Sequence, residues 1–487
     1  MSRPALVWFR EDFRIGDNPA LTAAIESGRS VFCVYVHDAL SPEIRAPGGA
    51  SRWWLHGSLD ALRASLRAIG GDLLLFRGRS RDVIPRIVEA AGCAAVFWNR
   101  RYGPERAIDV DVKAGLKRSG VSASSFSSRL VVEPGDVRTQ AGGSFKVFTP
   151  FHKASLTRDP PPPPLPAPDS IVAATIPAEL AARTVALEDL DLEPRRPDWA
   201  GGLRESWERG ETGARKRLSS FLENGFAGYA GDRNRPDLDM TSRLSPHLRF
   251  GELSARSVVH AARFALEASG GSIAREDYDV FRAEIGWRDF SYLLLFENDN
   301  LASGNLQKNF DAFPWREDEA AVDAWRKGRT GYPIVDAGMR QLWRTGFMHN
   351  RVRMIVASFL IKHLLIDWRV GEEWFWDTLV DADAANNPAS WQWVAGSGAD
   401  AAPYYRIFNP VTQGERFDPN GDYVRAWVPE LAGMPSRMIH RPWEAAPSVL
   451  HSARVQLGES YPKPIVVHEV ARKRALSAFE SIRSRRS

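Results

Sequence analysis

Residues 5–36 read ALVWFREDFRIGDNPALTAAIESGRSVFCVYV. The runs Ala5–Phe9 and Ser30–Val36 that bound this stretch are short, apolar and β-branched, the composition of strands buried on both faces. Runs of the same kind recur at Asp72–Phe76, Ala94–Trp98 and Leu130–Val132. Between them lie amphipathic stretches at helical spacing, such as Leu55, Leu59, Leu62 and Leu66. Strand and helix in alternation predict an α/β domain over residues 1–133, built on a doubly wound parallel sheet. Such sheets bind ligands where the strand order reverses. No Gly-x-Gly-x-x-Gly follows the first strand and no Walker-type phosphate loop occurs, so the usual nucleotide fingerprints are absent.

Beyond this domain the texture changes. Asp159–Ser170 holds seven prolines in twelve residues, five of them consecutive at Pro160–Pro164. That composition makes a stiff, extended spacer without a packed core, and residues 134–204 read as an interdomain linker. From 205 to 487 the strand signals fade. Segments Ala255–Ser269, Phe281–Phe296, Gly338–Trp368 and Val467–Ile482 carry helix formers with apolar residues three and four apart. They predict a larger all-α domain.

The chain as a whole bounds its class. Its 487 residues are too many for one core, and 44% apolar with 25% charged residues excludes wholesale disorder, collagen and coiled coil. The stretch Met354–Ile361, apolar except for Ser358, is far too short to span a membrane. Met1 leads within four residues into Ala5–Phe9 with no charged-then-apolar leader. Cys33 and Cys93 sit inside apolar runs and read as buried thiols rather than a disulfide. These features lead to the expectation of a cytoplasmic, reduced chain. A net charge of +4 points weakly to an anionic partner, and seventeen Trp supply either large cores or stacking surfaces.

Conventional catalytic signatures are missing. The ten His are scattered and there is no Cys-x-x-Cys, so no metal site is expected. Gly396-Ser397-Gly398 is an incomplete nucleophile elbow and reads as an ordinary turn. What remains is polar residues set in aromatic sequence. Thr241, Ser242 and Ser245 precede Pro246, with Ser245 expected at a helix cap; hydroxyls there suit a phosphate or pyrophosphate, or simply cap the helix. Glu284, Trp287, Arg288 and Ser291 share one helix face, as do Asn350 and Met354, with Arg353 beside them. Asp381, Asp383, Asn386, Asn387, Trp391 and Trp393 crowd thirteen residues. Taken together these suggest a polar-floored aromatic cavity.

These segments carry a resemblance. WFREDFRIGDNPAL at 8–21, KVFTPF at 146–151, TSRLS at 241–245 and TGYPIVDAGMRQLW at 330–343 are similar to motifs of the photolyase/cryptochrome family. MHNRVRMIVASFLIKHLLIDWR at 348–369 and DADAANNPASWQWVAGSGADAAPYYRIFNP at 381–410 extend the likeness nearly end to end. Within the family the chain resembles the bacterial cyclobutane pyrimidine dimer (CPD) photolyases. The resemblance implies a Rossmann-like antenna domain, a long linker and a helical domain holding FAD, reduced and anionic in its active form. It assigns Tyr229, Thr241, Ser242 and Ser245 to the phosphates and their surroundings. It pairs Arg353 with Asp381 against the isoalloxazine ring, sets Asp383 toward the adenine side and turns Asn387 to flavin N5. A buried Arg–Asp pair is tolerable because each charge has a partner, and its cationic end favours an anionic flavin. Plant cryptochromes carry Asp where this chain has Asn387, which leans toward repair.

The same resemblance lines a lesion cleft with Glu284, Trp287, Asn350, Met354 and Trp393. Two indoles can wall a flipped dimer, Glu284 and Asn350 can hydrogen-bond its bases, and a Glu there can stabilise the dimer after electron injection. Members acting on (6-4) photoproducts have His at the position of Met354. Trp391, Trp368 and Trp315 match the family's electron-hopping chain, and Arg351 and Arg406 its phosphate contacts. Ser291 and Phe347 stand where some relatives have Tyr and Trp. Pro104-Glu105 replaces an Asn-Glu pair of folate-binding relatives, so the implied antenna is methenyltetrahydrofolate with an 8-hydroxy-deazaflavin as rival. The implied activity is light-driven repair of UV-damaged DNA by a monomer that needs no membrane and no obligate protein partner. A cryptochrome-like photoreceptor is the alternative, against which stands the short tail after Ile482.

Overall fold

Strand β1 (Ala5–Phe9) is buried at every residue and pairs in parallel on both sides: Ala5 with Val31 of β2 (Val31–His37), and Ala5 with Ala95 of β4 (Ala95–Asn99). A central strand has no solvent face, which is why its sequence is a continuous apolar run instead of an alternation. With β3 (Leu73–Arg77) and β5 (Ser122–Phe126) the sheet is five-stranded and all parallel, in the order β3-β2-β1-β4-β5. Helices α1 (Pro19–Glu26), α2 (Gly49–Ala68), α3 (Ser80–Ala90) and α4 (Arg106–Arg118) make the crossovers. Asn18 starts α1 by accepting the Leu21 N–H at 3.2 Å, with Pro19 at the first helical position. The strand order reverses between β1 and β4, as in the doubly wound class expected from the sequence.

The computed structural model describes residues 3–400 and 405–483. Two compact units divide them: residues 1–227 with 242–299, and residues 228–241 with 300–487.

In the first unit the fifth strand is not Leu130–Val132, as its apolar run suggests, but the serine-rich Ser122–Phe126. An edge strand is half exposed and does not need a continuous apolar sequence. The Val131 and Val132 amides bond instead to the Asp289 carboxylate, at 3.3 and 3.1 Å. The proline-rich segment is tied down along its length. Leu165 N–H bonds Asp17 at 2.9 Å, Ile171 N–H bonds the Ile69 carbonyl at 2.7 Å, and Ala173 bridges Val31 at the head of β2. Stiffness without packing therefore describes its composition but not its contacts. The helices Ala255–Ala268 and Arg275–Glu297 lie where their periodicity puts them.

The second unit is helical. The stretch expected as one helix, Gly338–Trp368, is three pieces. The helix Pro333–Thr345 ends at Gly346, whose φ of 65° is the left-handed conformation of a helix stop. The helix Asn350–Ser358 then widens into a π turn at Phe359–His363, and Leu365, with φ 56°, turns the chain into the helix Trp368–Thr378. The helices Asn386–Ala395 and His468–Arg483 complete the elements used below. The core here is built from Trp325, Trp368, Trp391, Met348, Val356 and Phe375, which accounts for part of the Trp surplus. Among the described residues no helix is long and apolar enough to cross a membrane, and no cluster of three or more His, Cys, Asp or Glu could hold a metal ion. Cys33 and Cys93 are buried free thiols, both pushed up to about 12 by burial.

Candidate active site

In the second unit Asn350, Arg353, Met354, Trp368, Asn387, Trp391 and Trp393 lie on three neighbouring helices. Arg353, in Asn350–Ser358, grips Asp381 through two parallel bonds of 3.1 and 2.9 Å, and its Nε donates to the Met348 carbonyl at 2.7 Å. The fork geometry fixes the guanidinium plane, and Asp381 is buried. Asp383 accepts the Ala385 and Asn386 N–H groups, both at 2.8 Å, and so starts the helix Asn386–Ala395. On that helix the Asn387 amide nitrogen donates to the Glu372 carboxylate at 2.9 Å and to the Glu372 carbonyl at 3.0 Å.

Asn350 is exposed at the first position of its helix and Met354 lies one turn on, partly exposed. The cap is His349, whose Nδ1 accepts the Arg351 N–H at 3.2 Å; burial pushes this imidazole down to about 4, so it stays neutral as the bond requires. Trp393 is partly exposed on Asn386–Ala395. Arg351 bonds the Asn234 side chain at 2.8 Å and lies over Phe417 at 4.5 Å. Burial first, then the nearby Arg233, Arg416 and Arg406, lower the Arg351 guanidinium from its usual value. Cations gathered in this way favour an anion. Arg406 is exposed over the Phe408 ring; the preceding motif residues 401–404 lie outside the described ones.

Trp391 sits with Phe375 at 5.0 Å and Trp325 at 6.3 Å, and packs on Gly371, where a Cβ would come within 2.1 Å of its Cη2. Gly371 is one turn into the helix that Trp368 begins. Trp368 is fully buried, with its indole N–H on Asn305 at 2.9 Å. Trp315 is partly exposed and lies 4.3 Å from Phe313. Tyr229 is buried beneath Arg233, at 5.5 Å, and Thr241 belongs to the same unit.

The first unit holds Ser242, Ser245, Glu284 and Trp287. Ser245 is the first residue of the five-residue helix Ser245–Arg249, and Leu244, already at helical φ and ψ, takes the cap expected of Ser245. Glu284 and Trp287 lie one turn apart on Arg275–Glu297, both partly exposed. One face of Trp287 is stacked on Phe148 at 3.7 Å and 9°, and Phe148 stacks in turn on His152 at 5.2 Å. Arg288 points into the core, donating to the carbonyls of Arg129 and Leu248, and Ser291 bonds back to the Trp287 carbonyl at 3.0 Å.

The strand-order reversal carries a second polar group. A cleft beside β1 and β4 is lined by Glu11, Asp12, Asn99, Arg100, Arg101, Ser128 and Arg129. Asn99 bonds Asp12 at 2.6 Å, Arg10 and Arg101 share Asp109 at 2.9 and 2.6 Å, and Arg10 lies 4.2 Å over Trp8. Sequence reasoning missed these, together with Glu372, Asn234 and Phe148. Phe148, inside the KVFTPF motif, and Arg10, Glu11 and Asp12, inside WFREDFRIGDNPAL, had a local signal.

Residues 5–169 match a family model described as DNA photolyase, and residues 281–481 match one described as the FAD binding domain of DNA photolyase. The chain belongs to the DNA photolyase family. It is 48% identical to the deoxyribodipyrimidine photo-lyase of Agrobacterium fabrum over 99% of this chain and 98% of that protein. It is 38% identical to Cryptochrome-1 of Arabidopsis thaliana over 98% of this chain and 70% of that one. The crystal structure of a bacterial class III photolyase from Agrobacterium tumefaciens superposes with a TM-score of 0.94 at 48% identity, covering 99% of this chain and 98% of that one. The donor set fits the flavin that the family binds: a fixed guanidinium charge beside a buried carboxylate, and an amide whose two N–H bonds are both committed to one neighbour.

Proposed function

We propose that this chain is a light-driven DNA repair lyase that splits cyclobutane pyrimidine dimers flipped out of DNA. The observation that carries the reading is 48% identity over nearly the full length with a deoxyribodipyrimidine photo-lyase, joined to the half-buried Arg353 held by the buried Asp381. Reduced anionic FAD, when bound, supplies the photoexcited electron and takes it back, so no net redox change occurs.

The chain's own residues bind, orient and screen. Arg353, held by Asp381, offers a positive charge to an anionic ring, and Asn387 meets the ring edge with a group that carries no acidic proton. Asp383 serves the adenine side, and Tyr229, Thr241, Ser242 and Ser245 serve the phosphates. Trp287, supported from behind by Phe148, walls the flipped dimer together with Trp393 and Met354. Glu284 and Asn350 hydrogen-bond its bases, and Glu284 stabilises the charge that develops on the dimer. Arg351 and Arg406 take backbone phosphates, a role supported by the gathering of arginines around Arg351. Trp391, Trp368 and Trp315 would provide the route along which electrons from an external reductant reach a bound, oxidised flavin. Residues 1–133 form the antenna domain, 134–204 the linker and 205–487 the catalytic domain. The antenna is methenyltetrahydrofolate, with a deazaflavin as rival. With DNA as its substrate the protein acts in the cytoplasm, as a monomer.

The photoreceptor reading rests on the likeness to Cryptochrome-1, and Asn387 weighs against it. The deciding experiment is blue-light recovery of thymine absorbance in UV-damaged oligothymidine, using FAD-loaded, reduced protein and a dark control. Light-dependent recovery is the expected result. No recovery with flavin bound and reduced would overturn repair in favour of photoreception.

A further inference from the structure

Lys362 lies in the π turn Phe359–His363 and is 4% exposed. Its ammonium donates to the Arg406 carbonyl and sits 4.6 Å from the centre of the Tyr405 ring. Among the described residues no carboxylate pairs with it. Such a charge is costly to keep: burial first, then Arg406, push the ammonium down to about 7. A methionine would fill the same space without that cost, so packing alone gives no reason for a lysine. What Lys362 holds is backbone. The Phe408 N–H bonds Ser358 Oγ at 3.4 Å, so Ser358 and Lys362 fasten residues 405–408 to one helical segment from which the exposed Arg406 side chain projects.

We propose that Lys362 is a positioning residue for DNA: it pins the backbone at Arg406 so that this guanidinium is presented to a phosphate, and its own charge strengthens the anion site. The inference rests on the reading above that Arg406 meets a DNA phosphate. A phosphate beside Arg406 offsets the repulsion that Lys362 feels and favours its charged form. Binding then takes up a proton, and affinity falls as pH rises through 7. Arg406 lies beside Lys362 and Arg474 donates to the carbonyl of the adjacent His363. The Tyr405 phenol that faces the ammonium is raised by burial and stays neutral over that range. His363 on the same turn is pushed down to about 3 by burial, and its partner His468, 2.8 Å away, is lowered by burial too.

The test is fluorescence anisotropy of a dimer-containing oligonucleotide with FAD-loaded protein from pH 6.5 to 9. Wild-type affinity should fall with pH. Lys362→Met should bind about tenfold more weakly at pH 6.5, the size of one hydrogen bond to a charged group, with a flat profile. Lys362→Arg should bind tightly and also show a flat profile. Flavin absorbance and melting temperature check the fold. A Lys362→Met protein with wild-type affinity and wild-type pH slope overturns the proposal. If that variant does not hold flavin, a flat wild-type profile or an unchanged slope in Lys362→Arg overturns it. Arg406→Ala separates the two levels: loss there without loss in Lys362→Met refutes Lys362 alone, while loss in neither refutes the phosphate reading beneath it.

Discussion

Removing the Trp287 ring tests the lesion site most directly. Trp287 is partly exposed, and one face is occupied by Phe148 at 3.7 Å and 9°. Two losses follow from Trp287→Ala. The first is structural: the stack itself contributes about 0.5–1.5 kcal/mol beyond the buried area. Because the ring is not fully buried, the total should stay below the roughly 3–5 kcal/mol of a core Trp. The second is functional. A base stacked on an aromatic ring is worth about 1–3 kcal/mol, which is about 5- to 150-fold in Kd. The assay is anisotropy with one oligonucleotide in two forms, with and without a single dimer. Trp287→Ala should weaken binding of the damaged form by that factor and leave the undamaged form, for which the proposed contacts are Arg351 and Arg406, nearly unchanged. Trp287→Phe should lie between. Unchanged affinity for the damaged form in a Trp287→Ala protein that still holds flavin would refute the stacking role.

Three further outcomes are expected. Trp391→Phe should impair photoreduction of oxidised FAD while leaving repair by chemically reduced enzyme intact; normal photoreduction would break the assigned wire. Arg351→Ala should lower the slope of log affinity against log salt by about 0.9 if it neutralises one phosphate, and an unchanged slope would remove it from the DNA surface. Asp289 is buried and accepts two N–H bonds, and burial pushes its carboxyl up to about 6. A carboxyl raised above its unfolded value binds its proton more tightly in the folded chain, so its stabilisation is present below about pH 4 and lost as pH rises through 6. The stability difference between wild type and Asp289→Asn should therefore shift against wild type by about 2 kcal/mol between pH 4 and 6.5. Chemical denaturation across that range would detect it, and a flat difference would count against the raised carboxyl.

Sequence made the fold class legible because central parallel strands must be apolar throughout, and Ala5–Phe9 could be little else. Its limits are equally physical. Ser122–Phe126 is a strand through its pairing with Ala95–Asn99, a partner supplied by the tertiary structure. The breaks in Gly338–Trp368 depend on two left-handed residues, Gly346 and Leu365, of which only the glycine is a recognisable stop. Arg353 and Asp381 were readable as a pair only through family resemblance. The partners that fix the other groups could not be matched to them from sequence. Asn234 is 117 positions from Arg351, Phe148 is more distant still from Trp287, and Glu372 shares no motif with Asn387. Of these supporting side chains Asn234 and Glu372 left no local trace, and Phe148 left only its place in the KVFTPF motif.

The bond between Asn387 and Glu372 gives the amide a polarity. The Glu372 carboxylate and carbonyl are both acceptors, so only the NH2 end of Asn387 can face them, and the oxygen must point the other way. An oxygen so oriented can receive a hydrogen bond and cannot give one. Any ring edge that meets it is matched when it carries a proton and mismatched when it presents a lone pair. Glu372 thus turns a symmetric-looking amide into a one-way valve that discriminates between protonation states of whatever lies against it.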